Sequence, residues 1–252
     1  MLVDVLPERG ARDVAHRALF LECAAAHRER DPQDLPELFL PDDARWASRA
    51  AGRGEIRRLA RGLYSTNLDE PAERLLRRRW YDVASLYFSG AVIVDRSAAA
   101  AAPAADGSLF LDVGERPVNP RPIALPGLTL RPRNGPGPVL GDGELAGLRM
   151  SSPARIVLDN LRASRARGSV RRTLRPEELE ERLDRLARTR GEAALNELRD
   201  EAREIAPALG AEEQLAQLDR LIGALLGTRD APTPGADLTR PTAFARQHPD
   251  RP

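Results

Sequence analysis

DARWASRAAGRGEIRRLARGLYST, residues 43–66, decides how this chain is read. Pro41 and Asp42 lead into Asp43, whose carboxylate suits the open N–H groups of a helix start. Trp46, Ala47, Ala50 and Ala51 then share one helical face, and Arg45, Ser48 and Arg49 fall on the other. Gly52 is expected to close the helix as a left-handed cap. Beyond it, 55–59 and 63–66 read as two short strands, with Ala60, Arg61 and Gly62 at the reversal. The pattern predicts a helix followed by a β-hairpin, with Arg53 in the connection and Arg57, Arg58 and Arg61 on the hairpin. Residues 43–79 hold about five more bases than acids, against +1 for the whole chain. A local excess of that kind suits a polyanion such as double-stranded DNA. Arg45, Ser48, Arg49, Arg53, Arg57, Arg58 and Arg61 are therefore the candidate DNA-binding residues.

Composition narrows the alternatives. The 252 residues hold 39 basic side chains, and all of them are arginine. Without lysine there is no phosphate-binding P-loop, no Schiff-base amine and no kinase strand lysine. The single cysteine, Cys23, makes no internal disulfide and points to a reducing compartment. The longest apolar run, 98–105, is broken by Pro103 and is too short for a membrane helix. No signal-peptide pattern opens the chain. A cytoplasmic location with no membrane partner is expected.

Outward from the opening stretch, 11–30 reads as an amphipathic helix, which Pro32 and Pro36 end. A helix is expected over 71–88 and a buried strand over 91–94. The segment 97–105 is left open between helix and loop. Further strands are expected at 108–113, 122–125, 128–131 and 138–140. Ser152 with Pro153 marks a capped helix through Leu161. Three amphipathic helices follow, with Gly191 and Gly210 between them. The fold class is α+β: a winged-helix-like domain (1–67), a small mixed α/β domain (68–164), a C-terminal helical bundle (165–227) and a disordered tail (228–252).

Residues for chemistry are sparse. His16, Cys23 and His27 share a helical face, but His16 and Cys23 lie about 10 Å apart along it at about 1.5 Å per residue, too far for one small ion. Gly135-Pro-Gly137-Pro-Val-Leu-Gly141 evokes a dinucleotide loop, yet its third glycine comes one residue late and its prolines remove needed N–H donors. It reads as a turn. No nucleophile elbow or triad logic is present. The expectation is a protein that is not an enzyme and has no metal and no cofactor. A second basic stretch, with Arg162, Arg165, Arg167, Arg171 and Arg172, contains no acid and is the candidate partner-binding surface.

Several of these segments carry a family resemblance. The stretch from Gly54 to Tyr64 resembles the wing of the AbiEi family of antitoxin-type transcriptional regulators, and Gly90 to Arg96 resembles the strand opening its second domain. Leu125 to Leu130, Gly135-Pro-Gly137 and Ser151 to Arg155 are similar to further landmarks of that group, over about 38–228. The resemblance implies a winged helix-turn-helix that binds inverted repeats in its own promoter, with 43–51 as recognition helix and 55–66 as wing. It also implies a downstream region that counters a partner toxin, a nucleotidyltransferase in the founding system. The ending 241–252 resembles the junction to a Fic domain, whose His-Pro-Phe signature is absent here. A Fic-type partner is thus a further implied class, and so is a module that regulates its partner without touching DNA. One departure stands out: only 31–42, with two prolines, separates the first helix from the recognition helix, so the usual second helix is missing.

Overall fold

A computed structural model describes residues 34–116, 120–164 and 171–229. The expected helix over 11–30 with His16, Cys23 and His27, the residues Arg165 and Arg167, and the expected tail from 230 lie outside the described residues.

Two sheets and seven helices make a mixed α+β architecture among the described residues. The first sheet is antiparallel, in the order β1 (Leu38–Phe39), β3 (Leu63–Ser65), β2 (Arg57–Ala60). Helix α1 (Ala44–Gly52) lies between β1 and β2 in the chain. β1 falls in the stretch expected to lack a helix, and it completes the sheet beside the hairpin. Residues directly opposite each other on paired strands share a face. Phe39 and Arg58 both pair with Tyr64, so all three stand on one face, while Leu38 and Arg57 pair with Ser65 on the other. α1 packs on the Tyr64 face, where Ala47 and Ala50 join Phe39, Ile56 and Tyr64 in a small apolar cluster.

The second sheet has six strands in the order β6 (Ile123–Leu125), β7 (Leu128–Arg133), β5 (Ser108–Asp112), β4 (Val92–Ile93), β9 (Leu148–Met150), β8 (Gly143–Leu145). β5 with β7 and β4 with β9 are parallel, and the remaining pairs are antiparallel. The 71–88 segment is two helices, α2 (Ala72–Arg78) and α3 (Trp80–Tyr87), broken at Arg79 by a ψ of 30°. The open segment after β4 begins with α4 (Asp95–Ala100). The strand expected at 138–140 is absent. β8 and β9 stand in its place, joined by Ala146 and Gly147 at positive φ. Asp142-Gly143 reads as a turn but Gly143 opens β8, and neither three-residue strand has a period long enough to show.

Helix α5 (Pro153–Leu161) follows β9, and Ser152 Oγ caps it by accepting from the Arg155 N–H at 3.2 Å. α6 (Pro176–Leu209) and α7 (Glu212–Arg229) complete the chain, with non-helical backbone at Gly191 (φ 80°, ψ 177°) inside α6. Leu179, Leu183, Leu195, Leu198, Leu218 and Ile222 pack with Ala154, Val157 and Leu158 of α5.

Apolar clusters run across both 67/68 and 164/165. Leu38, Leu59 and Leu63 of the first sheet pack with Leu75, Leu76, Leu109, Leu111 and Leu130 of the second unit. Ion pairs reinforce that joint: Arg78 bridges Glu37 and Glu70, each at 2.8 Å, and Asn67 Nδ2 donates to Glu37 Oε1 at 3.0 Å. The Asn67 hydrogen bond, opposed by desolvation and assisted by Arg78 and Arg79, holds the Glu37 carboxyl below its usual range. The small sheet is therefore fixed to the large one.

One buried cation organises the sheet's other end. Arg155 is fully buried; its Nη2 donates to Asp112 Oδ2 at 2.7 Å, and its Nη1 to Asp142 Oδ2 at 2.5 Å and to the Gly137 carbonyl at 2.8 Å. Its Nε reaches Asp159 Oδ2 at 3.4 Å. Three carboxylates and a carbonyl satisfy a guanidinium that would be prohibitively costly to bury bare. Strand β5, helix α5 and the 134–142 loop meet there.

Because Leu63 sits in the cluster common to both sheets, Leu63→Ala is expected to cost about 2–5 kcal/mol. The small sheet should also unfold with the large one. Denaturation followed by Trp46 fluorescence in a Trp80→Phe background, and by Trp80 in a Trp46→Phe background, should give coincident midpoints.

Candidate nucleic-acid interface

Local sequence sets the helix and hairpin. Asp43 Oδ1 accepts from the N–H groups of Arg45 at 2.7 Å and Trp46 at 3.1 Å, fixing the start of α1. With Ala47 and Ala50 turned to the core, Arg45, Ser48 and Arg49 are exposed on the opposite side. The left-handed glycine that ends the helix is Gly54 (φ 76°), two residues later than expected; Gly52 is the last helical residue. Gly62 (φ 79°) makes the tight reversal between β2 and β3.

The structure divides the seven candidate DNA-binding residues. Arg45 and Arg49 on α1 and Arg61 at the hairpin turn are exposed, with no carboxylate partner among the described residues, and Ser48 is exposed between the two helix arginines. Arg58 lies on the α1 side of edge strand β2, exposed, and its Nε donates to the Ala60 carbonyl at 3.3 Å. Arg57 is on the opposite face. Its guanidinium donates to the carbonyls of Leu68, at 3.2 Å, and Glu70, tying the hairpin to the loop that leads into α2. Arg53 forms a two-point pair with Glu55, at 2.5 and 2.8 Å. That hydrogen bond holds the Glu55 carboxyl below its usual range, so the pair carries no net charge at neutral pH. Four exposed cations of this group have no ion-pair partner among the described residues: Arg45 and Arg49 on α1, Arg58 on the α1 side of β2, and Arg61 at the turn.

The candidate partner-binding arginines also separate. Arg162 donates to the carbonyls of Leu209 and Gly210, closing the end of α6. Arg172 is turned inward, its Nε 3.4 Å from Asp95 Oδ2. Arg171 is exposed. It borders a hollow between α5, α6 and α7 that also includes Asn160, Thr173, Glu180 and Gln217.

Asp95 was not legible as special in the sequence. It is fully buried at the first turn of α4 with φ 55°, and neither carboxylate oxygen receives a hydrogen bond. Arg133 Nε of β7 stands 3.4 Å from Oδ2, as does Arg172, and Asp159 of α5 adds a like charge nearby. Burial outweighs the two arginines and pushes the Asp95 carboxyl up to about 6. Next to it, Arg96 donates to Glu178 at 2.9 and 3.3 Å and to the Thr173 carbonyl at 3.1 Å, stitching α4 to the start of α6. Among the described residues no group of three or more His, Cys, Asp or Glu side chains is arranged to hold a metal ion, and no helix is long and apolar enough to cross a membrane.

No protein-family model, curated protein or solved structure matches this chain.

Asp95 gives a signed pH dependence. Its carboxyl binds a proton more tightly in the folded chain (about 6) than at its ordinary value of 3.8. Its contribution is thus greatest below pH 4 and falls away as pH rises through 6, by on the order of 3 kcal/mol in all. Glu37 and Glu178, both lowered, act oppositely, losing stability as pH falls below their ordinary value of 4.5. Asparagine tolerates the left-handed backbone, so Asp95→Asn should fold. Urea midpoints from pH 4 to 7.5 should show the variant gaining on the wild type as pH rises, with the change centred between 4 and 6.

Proposed function

We propose that this chain is an antitoxin-type transcriptional regulator, not an enzyme, which binds duplex DNA of its own promoter and neutralises a partner toxin of nucleotidyltransferase or Fic type. In this proposal the N-terminal unit works as a winged helix, with α1 in the major groove and the β2–β3 hairpin as its wing. The helices α6 and α7 serve as the C-terminal bundle, packed against α5. One observation carries the DNA half: Arg45 and Arg49 on α1, Arg58 on the α1 side of β2 and Arg61 at the hairpin turn are exposed and form no ion pair with a carboxylate among the described residues. Phosphates on a duplex are spaced a few ångströms apart, and a fixed set of guanidinium groups replaces their counterions. Arg45, Ser48 and Arg49, at successive turns of one helix face, suit base edges, where arginine pairs with guanine.

A second reading rests on β1. Where a helix-turn-helix has its second helix, residues 38–39 form a strand. That favours a protein-interaction module which regulates its partner without DNA.

A titration separates the two. Labelled duplex carrying the upstream region, titrated at two salt concentrations, should bind with an affinity that falls steeply with salt. Arg45→Ala/Arg49→Ala and Arg58→Ala/Arg61→Ala should each weaken binding and flatten the salt slope by about 1 for every phosphate contact removed. Arg53→Ala and Arg57→Ala should leave that slope in place. The absence of salt-sensitive binding at micromolar protein would leave only the second reading.

A further inference from the structure

Of the two neighbouring arginines on β2, Arg58 stands on the α1 side of the sheet and Arg57 on the face away from it. β2 is an edge strand held by β3 alone, and its register shifts between Arg58 and Ala60. A bulge bends a strand, and a two-stranded ribbon this short holds little shape by itself. The placing of Arg58 and of Arg61 at the closed end therefore depends on how the open end of the hairpin is held. Arg57 lies at that open end, opposite Ser65.

Hydrogen bonds tie this end down. Arg57 is half-buried, and its guanidinium donates to the Leu68 carbonyl at 3.2 Å and to the Glu70 carbonyl. A turn that Asn67 shapes presents both carbonyls: Asn67 Oδ1 accepts from the N–H groups of Asp69 at 3.2 Å and Glu70 at 3.0 Å. The Asn67 N–H donates to the buried Ser65 Oγ of β3 at 2.9 Å, and its Nδ2 donates to Glu37, the residue before β1, at 3.0 Å. Arg78 of α2 holds both Glu37 and Glu70. β1, β3 and α2 are thus joined at one point, and β2 enters it through Arg57.

We propose that Arg57 is a positioning residue for DNA binding: it presets the hairpin so that Arg58 and Arg61 meet the same duplex as α1, and it does not touch the duplex itself; the assignment rests on the DNA half of the proposed function. Its guanidinium faces away from α1 and is engaged by two backbone carbonyls, so it is not offered to a phosphate on that side. The two roles differ in what they change. A phosphate contact releases counterions and so sets the salt slope. A group that presets such contacts spares the cost of ordering them in the complex, which changes affinity and leaves the slope. That gain is realised only through the cations the hairpin carries.

The test uses the full chain and the labelled upstream duplex over a series of salt concentrations. Arg57→Met keeps the apolar stem and removes the donors, and it should raise the Kd about fivefold or more with the wild-type salt slope and an intact circular dichroism spectrum. Arg57→Lys, which keeps a donor for the carbonyls, should bind more tightly than Arg57→Met. In the Arg58→Ala/Arg61→Ala background, Arg57→Met should change the Kd by less than about twofold, since no cation is left on the hairpin to be preset. A slope flatter by about 1 in Arg57→Met would make Arg57 a phosphate contact and overturn the proposal. An unchanged Kd overturns it too. So does a loss of equal size in both backgrounds, which marks a general loss of structure. Each of these failures leaves the DNA reading in place, whereas a wild-type chain without salt-sensitive binding removes that reading and the positioning role with it.

Discussion

A single guanidinium closed off from water determines how the centre of this protein is arranged. Arg155 enters the core from the first turn of α5, and three carboxylates have to come with it: Asp112 from β5, Asp142 from the loop before β8, and Asp159 one turn further along the same helix. Such a cluster adds little net stability, because desolvating the ions offsets most of their attraction. What it supplies is position. A guanidinium has a flat, fixed set of donors, and each partner must arrive from its own direction. The 134–142 loop therefore has one arrangement relative to β5 and α5, and Gly135 is required because the Asp112 carboxylate occupies the space of its Cβ.

The same region sets a charge balance that extends to the helices. Asp95, Asp112, Asp142 and Asp159 are buried, whereas Arg155 alone among the described arginines is fully enclosed; Arg133 is 20% exposed at its side chain and Arg172 is 34%. Asp95 is the carboxylate left without a hydrogen-bond donor, so the shortage of enclosed positive charge falls on it. Because Arg172 lies four residues before the start of α6, the junction between sheet and helices includes Asp95, whose carboxyl is pushed up to about 6 by burial.

Much of the fold could be read from residue patterns, and the failures have physical causes. Helices with long apolar periods and marked ends, α1, α5 and the two halves of α6, stand out because capping and periodicity agree. The break at Arg79 and the short strands β8 and β9 do not, since two or three residues carry no period and tertiary pairing decides them. At the interface, the hairpin's arginines were legible as a group but not as two groups. Arg57 and Arg58 are neighbours in the chain, so strand pleating must send them to opposite faces, and only the register with Tyr64 and Ser65 says which faces α1. Arg155 lies in the stretch Ser151 to Arg155 that opens α5, but nothing in the sequence distinguishes an arginine that will be buried from the others in a chain where every base is arginine.

That last point bears on how charge should be weighed here. With arginine as the only base, surface arginine by itself separates no function from ordinary solvation. Pairing does. Along α6 and α7, Arg185, Arg188 and Arg203 each have a carboxylate within 3 Å, so this cationic surface is largely cancelled locally. Arg162 and Arg172 are consumed by a helix end and a buried acid. At the small sheet the acids are directed elsewhere: Glu37 and Glu70 to Arg78 at the joint, Asp43 to the helix cap, Glu55 to Arg53. Among the described residues there, the exposed positive charge left over is then that of Arg45 and Arg49 on α1 and of Arg58 and Arg61 on the hairpin.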